Sequence, residues 1–211
     1  MINAGVLTFQ EFVMREPLPL STIHEAVLEF LQGRDDVVLF GAQAVNAYVS
    51  EPRMTQDVDL LSTRAKELAE ELREHLNQKF HIAVRVREIA DGKGFRIYQV
   101  RSEGNRHLVD LRLVEELPNT QRIENILVLS PAELIASKVV SYHSRKGKPK
   151  AGTDWRDLAM LLLKFSELKT ENGEVSKILR ARKSSAVVLD VWLELVAQEI
   201  LLEDENEDLI F

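Results

Sequence analysis

Cysteine is absent from this chain of 211 residues. That excludes disulfides, thiolate metal sites and cysteine nucleophiles. Histidine is sparse: His24, His75, His81, His107 and His143 are scattered, and none forms an H-E-x-x-H or related pair, which argues against a zinc enzyme. No apolar run reaches the roughly 18 residues of a membrane span. Met1 to Leu20 has no basic start leading into an apolar stretch, so the sequence predicts no signal peptide and a cytoplasmic location. A phosphate loop of the G-x-x-x-x-G-K-[ST] type is missing, and Asp91-Gly92-Lys93-Gly94 reads as a hairpin turn. The serines sit in no G-x-S-x-G elbow. Positive charge is also short, with 27 Lys and Arg against 34 Asp and Glu, a net charge of −7. This argues against broad, non-specific nucleic-acid binding, though not against a local basic groove.

What is present is a globular composition, 45% hydrophobic and 29% charged, enough for one domain or two small ones sharing a seam. Residues 1–129 read as an α/β domain and residues 130–211 as a helical domain or subdomain. The class is α+β: a mixed sheet with flanking helices, then a helical C-terminal half. In the first part, helices are expected over Thr22–Gln32 (with a capping box to Glu25), Ala42–Val49 and Arg64–Lys79. Strands are expected over Val37–Phe40, Asp57–Leu61, His81–Glu88, Phe95–Arg101, His107–Leu113 and Ile126–Leu129. In the strand ending at Leu113, alternation puts Val109, Leu111 and Leu113 on one face and Leu108, Asp110 and Arg112 on the other. Ser130-Pro131-Ala132-Glu133 opens a helix to His143 with Ser130 as its cap. Helices then follow over Asp154–Phe165, Glu174–Ala181 and Val187–Leu202. The basic run Arg145–Lys150 reads as a solvated loop, and Glu203–Asp208 as a solvated acidic tail. Trp155 and Trp192 fall in helical patterns and read as core or seam.

The chemistry concentrates in two stretches. Val37 to Phe40 is an apolar strand running into Gly41-Ala42-Gln43 and a helix. Asp57 and Asp59, one residue apart on the next strand, share a face while Val58 and Leu60 point into the core. Two carboxylates near the free amides of a helix start suit a hard divalent cation and the phosphates it carries. Asp110 is a third carboxylate on a later strand, placed to join them. Three converging carboxylates repel one another unless cations offset their charge. Two Mg²⁺ ions would do so, bridging a triphosphate and leaving one carboxylate able to help deprotonate an attacking hydroxyl.

Gly41-Ala42, then a helix, then Asp57-Val58-Asp59, then Asp110 resembles the nucleotidyltransferase superfamily, with its polymerase-beta-like fold. Pro52-Arg53-x-Thr55-x-Asp57-x-Asp59-Leu60 is similar to the branch holding the abortive-infection type IV toxins and related minimal nucleotidyltransferases. Glu133 to Lys138, then Arg145, then Asp154-x-x-Asp157-Leu158 resembles that branch's lysine helix and its downstream pattern. The resemblance covers Val37 to Leu163.

It implies a role for each residue. Gly41, Ala42 and Gln43 would present amides to the nucleotide. Asp57 and Asp59 would ligate Mg²⁺, with Asp110 as third ligand or general base. Lys138 would contact the triphosphate and Arg145 would meet phosphate. Asp154 and Asp157 would orient that lysine or the acceptor. The implied activity moves an NMP from an NTP to a hydroxyl on a tRNA 3′ end, a protein or a small molecule. A toxin half of a toxin–antitoxin pair is implied too, with an antitoxin as partner. One departure is the turn, usually Gly-Gly or Gly-Ser in the family and Gly-Ala here. If its second position needs positive φ, alanine is strained. That motivates the alternative, an inactive member of the fold serving as a binding or regulatory module.

Overall fold

The computed structural model describes residues 18–201. The acidic run from Glu203, and nearly all of the segment weighed for a signal peptide, lie outside the described residues. No helix among them is long and apolar enough to cross a membrane. The chain divides into two compact units, one ending at Leu134 and the other beginning at Ile135.

The first unit is built on a seven-stranded mixed sheet in the order β3-β4-β5-β2-β1-β7-β6. Its elements run α1 (Leu20–Leu31), β1 (Val37–Phe40), α2 (Gly41–Tyr48), β2 (Val58–Ser62), α3 (Ala65–Phe80), β3 (Val84–Ile89), β4 (Gly94–Gln99), β5 (Arg106–Leu113), β6 (Thr120–Ile123) and β7 (Ile126–Leu129). β1 is wholly apolar, Val-Val-Leu-Phe, and every residue is buried, as an inner strand requires. It pairs antiparallel with β2 and parallel with β7. β5 lies parallel to β2 on the other side, so β2 has Asp59 between Phe40 of β1 and Asp110 of β5.

Helix α3 covers β3, β4 and β5 with Leu68, Leu72 and Leu76, three leucines at a spacing of four that place their side chains on one stripe. It ends at His81, whose φ of 54° is the left-handed cap and whose amide donates to Asn77 O at 2.8 Å. The guanidinium of Arg34 bonds both Asp36 (2.7 Å) and Glu71 (2.8 Å) at the other end of this layer.

The second unit is helical. α4 (Pro131–Ser144) spans the division, followed by α5 (Lys150–Lys164), a 3₁₀ turn (Ser166–Leu168), α6 (Glu174–Ala181) and α7 (Ala186–Ala197). Trp192 is fully buried, and its indole N–H donates to Ser176 Oγ at 2.9 Å, tying α7 to α6. Core is thus the right reading for Trp192, while Trp155 is half-buried against Tyr142.

Several boundaries depart from the sequence reading. α1 starts at Leu20 behind Pro19, so Thr22 is already helical and no side chain caps the helix. A proline before the first turn sets the chain early, and the Thr22–Glu25 capping box is not used. β2 begins at Val58, leaving Asp57 in the bend before it. β6 was not foreseen: Thr-Gln-Arg-Ile is a polar edge strand, and its two-residue turn uses Glu124 and Asn125 at φ 47° and 64° rather than a glycine. α5 begins at Lys150, four residues ahead of Asp154, which is therefore inside the helix and not at its start. α7 ends at Ala197, short of Leu202.

Candidate active site

The turn from β1 to α2 is where the chemistry begins. Gly41 has φ +70°, and the carboxylate of Asp59 lies where a β-carbon would stand. Only glycine fits both conditions. Ala42 is helical and not at positive φ, so the Gly-Ala turn carries no strain at its second position. The first amides of α2 have no partners within the helix, and no acidic residue occupies its first turn, which leaves an N-terminus suited to an anion. The Gln43 side chain is buried against Asn46, which leaves only its backbone amide at this helix end.

The loop from α2 to β2 is pinned from both ends. Asn46 Nδ2 donates to Arg53 O at 2.8 Å, and Arg53 N donates back to Asn46 Oδ1 at 3.0 Å. Thr55 Oγ1 donates to Asp57 O at 2.9 Å. These bonds to the backbone of Arg53 and Asp57 set the bend from which Asp57 projects.

Asp59 and Asp110 are cross-strand partners on β2 and β5, and directly opposed residues share a sheet face. Arg96, the partner of Asp110 on β4, donates from Nε to Asp110 Oδ1 at 2.8 Å. His107 joins the group. Its Nδ1 lies 3.3 Å from Asp57 Oδ2 and its Nε2 lies 3.4 Å from Asp110 Oδ1. Ligating atoms of Asp57, His107 and Asp110 all fall within 4.8 Å of one another. Asp59 is not in that set; its carboxylate sits over Gly41.

The alternation expected for β5 is corrected here. Tyr98 pairs with His107 while Ile97 pairs with Val109, so Leu108 is an extra residue opposite β4, a β-bulge. The bulge shifts the phase by one. Leu108 turns inward and is fully buried with Val109 and Leu111, and His107 takes the face of Asp110. Uniform alternation put Leu108 there instead, which is why sequence reasoning passed over this histidine.

The electrostatics follow from the geometry. Asp110 and Asp57 hold the His107 imidazole far above its ordinary 6.5, at about 10, so it is a cation at neutral pH. Burial alone would push the Asp110 carboxyl up, but His107 and Arg96 outweigh it and hold the group below its ordinary value. The carboxylates have thus gathered two cationic side chains around themselves. A donor set that draws cations in this way fits a divalent metal, and its oxygens are the donors Mg²⁺ prefers.

The remaining sequence candidates form a second cluster, within the helical unit. Asp154 and Asp157 lie one turn apart on α5 and both are buried. Lys138 Nζ, from α4, bonds Asp157 Oδ2 at 2.5 Å and lies 3.6 Å from Asp154 Oδ1. Arg145 Nη1 spans both Asp154 oxygens, at 3.1 and 2.8 Å. Lys138 is therefore buried and paired, and Arg145 is tied to α5 rather than lying in a solvated loop.

The model of the family "Nucleotidyl transferase AbiEii toxin, Type IV TA system" matches residues 25–207. The chain belongs to this family. It is a nucleotidyltransferase, and the family chemistry is transfer of a nucleotidyl group. Solved structures carry the same fold. The Megavirus polyadenylate synthase superposes with a TM-score of 0.60 at 14% identity over 77% of this chain. The match spans only 35% of that larger chain. JHP933 from Helicobacter pylori superposes with a TM-score of 0.52 at 12% identity, covering 90% of both chains. No curated protein matches the chain. The mixed sheet of this AbiEii-family protein is thus the nucleotidyltransferase sheet.

Proposed function

We propose that the protein is a Mg²⁺-dependent enzyme that moves an NMP from an NTP to a hydroxyl acceptor and releases pyrophosphate. The observation that carries this reading is the cluster of Asp57 and Asp110 ligating atoms, with Asp59 the cross-strand partner of Asp110 and its carboxylate over Gly41 at the N-terminus of α2. Asp57, Asp59 and Asp110 would hold the metal, two ions being the expected number. Bound there, the metal supplies positive charge across the triphosphate and makes the α-phosphorus a better electrophile.

The amides of Gly41, Ala42 and Gln43 bind phosphate oxygens and fix the triphosphate for in-line attack. Asp110 takes the proton of the attacking hydroxyl; Arg96 and His107 aim its carboxylate and keep it ionised beforehand. Following the resemblance, Lys138 contacts the triphosphate, Asp157 and Asp154 orient it, and Arg145 serves as a phosphate contact or as the brace of Asp154. The acceptor class comprises a tRNA 3′ end, a protein or a small molecule. The family's place in type IV toxin–antitoxin systems supports a toxin role and an antitoxin partner. The motive for an inactive variant weakens, because Ala42 has no left-handed backbone to strain.

The test is thermal stability with ATP, GTP, CTP and UTP, each with and without Mg²⁺, alongside transfer of α-³²P label. Wild type is expected to gain stability with one nucleotide only when Mg²⁺ is present. Asp57→Asn/Asp59→Asn is expected to lose both that gain and the transfer. Equal responses from wild type and the double variant would sink the proposal.

A further inference from the structure

Strand pairing brings one more cation to the start of α2. Cross-strand partners run Arg87, Arg96, Asp110, Asp59 and Phe40 along one row of β3, β4, β5, β2 and β1. The next row runs Gly94, Arg112, Leu61 and Val38. Directly opposed residues project from one face, and residues two apart on a strand share it. The bulge at Leu108 precedes Asp110, so alternation is regular from Val109 onward. Val109 and Leu111 are fully buried, and Arg112 takes the face of Asp110.

Arg112 is exposed, and its guanidinium lies over the Phe40 ring, 4.8 Å from the centroid. To reach that ring the side chain crosses β2, which lies between β5 and β1. Phe40 is the residue before Gly41, and its cross-strand partner is Asp59, whose carboxylate sits over Gly41. The guanidinium therefore ends beside the first turn of α2, where the backbone amides lack partners. Stacking on a ring fixes the guanidinium plane and leaves the N–H groups at its edge unspent. Arg112 bonds no carboxylate among the described residues. The other cations named so far are committed: Arg96 and His107 to Asp110 and Asp57, and Lys138 and Arg145 to Asp157 and Asp154. An oriented guanidinium with donors to spare, beside unpaired helix amides, matches the oxygens of a polyphosphate.

We propose that Arg112 is a substrate-binding residue that holds the β- and γ-phosphates of the NTP, the part that leaves as pyrophosphate. The inference rests on the nucleotidyl-transfer reading and adds the residue that sets its preference for a triphosphate. Transfer requires the α-phosphorus at the aspartates, and the two outer phosphates then extend to the start of α2, where the guanidinium stands. When the acceptor oxygen bonds the α-phosphorus, the bond from that phosphorus to the α–β bridging oxygen breaks. The electron pair stays on pyrophosphate, and the hydroxyl proton passes to Asp110. Negative charge grows on the leaving group as this bond breaks, and a guanidinium bonded to it stabilises that charge. Phe40 orients the guanidinium beforehand, so less side-chain freedom is lost on binding.

The experiment is isothermal titration calorimetry of the full chain in Mg²⁺, with the best-bound NTP, the matching NMP and inorganic pyrophosphate. Weak ligands are read by displacement of the NTP. Arg112→Gln and Arg112→Lys provide the arms, and melting curves check folding. Arg112→Gln should weaken NTP and pyrophosphate binding about tenfold or more, the worth of a hydrogen bond to a charged group. Its affinity for NMP should match wild type. Arg112→Lys keeps the charge without the planar fork and should fall between the two. If Arg112→Gln melts early, Arg112→Lys carries the same comparison of pyrophosphate with NMP. Wild-type affinity for NTP in Arg112→Gln overturns the assignment alone and leaves the nucleotidyl-transfer reading standing. An equal loss for NTP and NMP also overturns it, because the contact then lies at the nucleoside or the α-phosphate. Wild type that binds no nucleotide in Mg²⁺ overturns the nucleotidyl-transfer reading, and the role of Arg112 falls with it.

Discussion

At Gly41 the backbone turns left-handed, and Asp59 occupies the space a side chain would need. Gly41→Ala combines a φ strain of about 1–2 kcal/mol with displacement of the Asp59 carboxylate. The expected outcome is Mg²⁺-dependent NTP binding weaker by at least about tenfold, a loss of roughly 1.4 kcal/mol, read by thermal shift. Wild-type affinity in that variant would refute the placement of Asp59. His107 gives a pH prediction for the metal-free protein. Its folded pKa, about 10, lies above its ordinary 6.5. The charge contact therefore stabilises fully below about pH 6.5 and is lost as pH rises through about 10. Urea midpoints of wild type and His107→Gln in EDTA should differ most near pH 6 and converge above pH 10. A gap that grows with pH would show that the imidazole is not held as a cation.

At the element scale, the Lys138–Asp157 pair joins α4 to α5 inside the helical unit, and both partners are buried. Removing one partner leaves the other charged and unpaired away from water. Lys138→Met should cost about 3 kcal/mol by chemical denaturation, and Lys138→Met/Asp157→Leu distinctly less. A double variant as unstable as the sum of the two single changes would show that packing, not charge, dominates there. Elements differ in how far the sequence foretells them. β1 and β7 are short apolar runs, α3 has leucines every four residues, and Ser130 accepts from the Glu133 amide at 3.5 Å as its spacing suggests. β6 was illegible because an edge strand needs neither apolar alternation nor a glycine turn. The start of α5 was illegible because Pro149 and Lys150 read as loop, although proline is well tolerated at a helix entrance.

For the whole molecule, acid exceeds base by seven charges, yet folding sorts the charges unevenly. Asp59 and Asp110 are cross-strand partners, Asp57 and Asp110 share His107 between them, and arginines line the strands beside them. A divalent cation that binds these carboxylates only in the folded chain must stabilise it. Mg²⁺ at about a hundred times its Kd should add roughly 2.7 kcal/mol, which for a chain of this length raises Tm by about 5–10 °C. EDTA should reverse the gain. A melting curve indifferent to Mg²⁺, Mn²⁺ and EDTA would remove the metal from the proposed chemistry.

The sequence by itself determined the parts that depend on neighbours a few residues away. These are the strand, turn and helix at Gly41, the two aspartates one residue apart, the cap at Ser130, and Asp154 and Asp157 on one face of a helix. Periodicity, capping and turn chemistry act over such distances, and they were enough to bring the nucleotidyltransferase resemblance into view. Only the tertiary structure decided which side chains meet across strands and helices. The bulge at Leu108 turns His107 toward Asp57 and Asp110; pairing between β4 and β5 sets Arg96 on Asp110; packing of α4 on α5 gives Lys138 to Asp157. Register and bulges are settled by pairing energies summed over strands far apart in the chain, and a one-residue shift reverses every face. No local pattern in β5 announces that shift, so the histidine and the arginine row became visible only once the strands were paired.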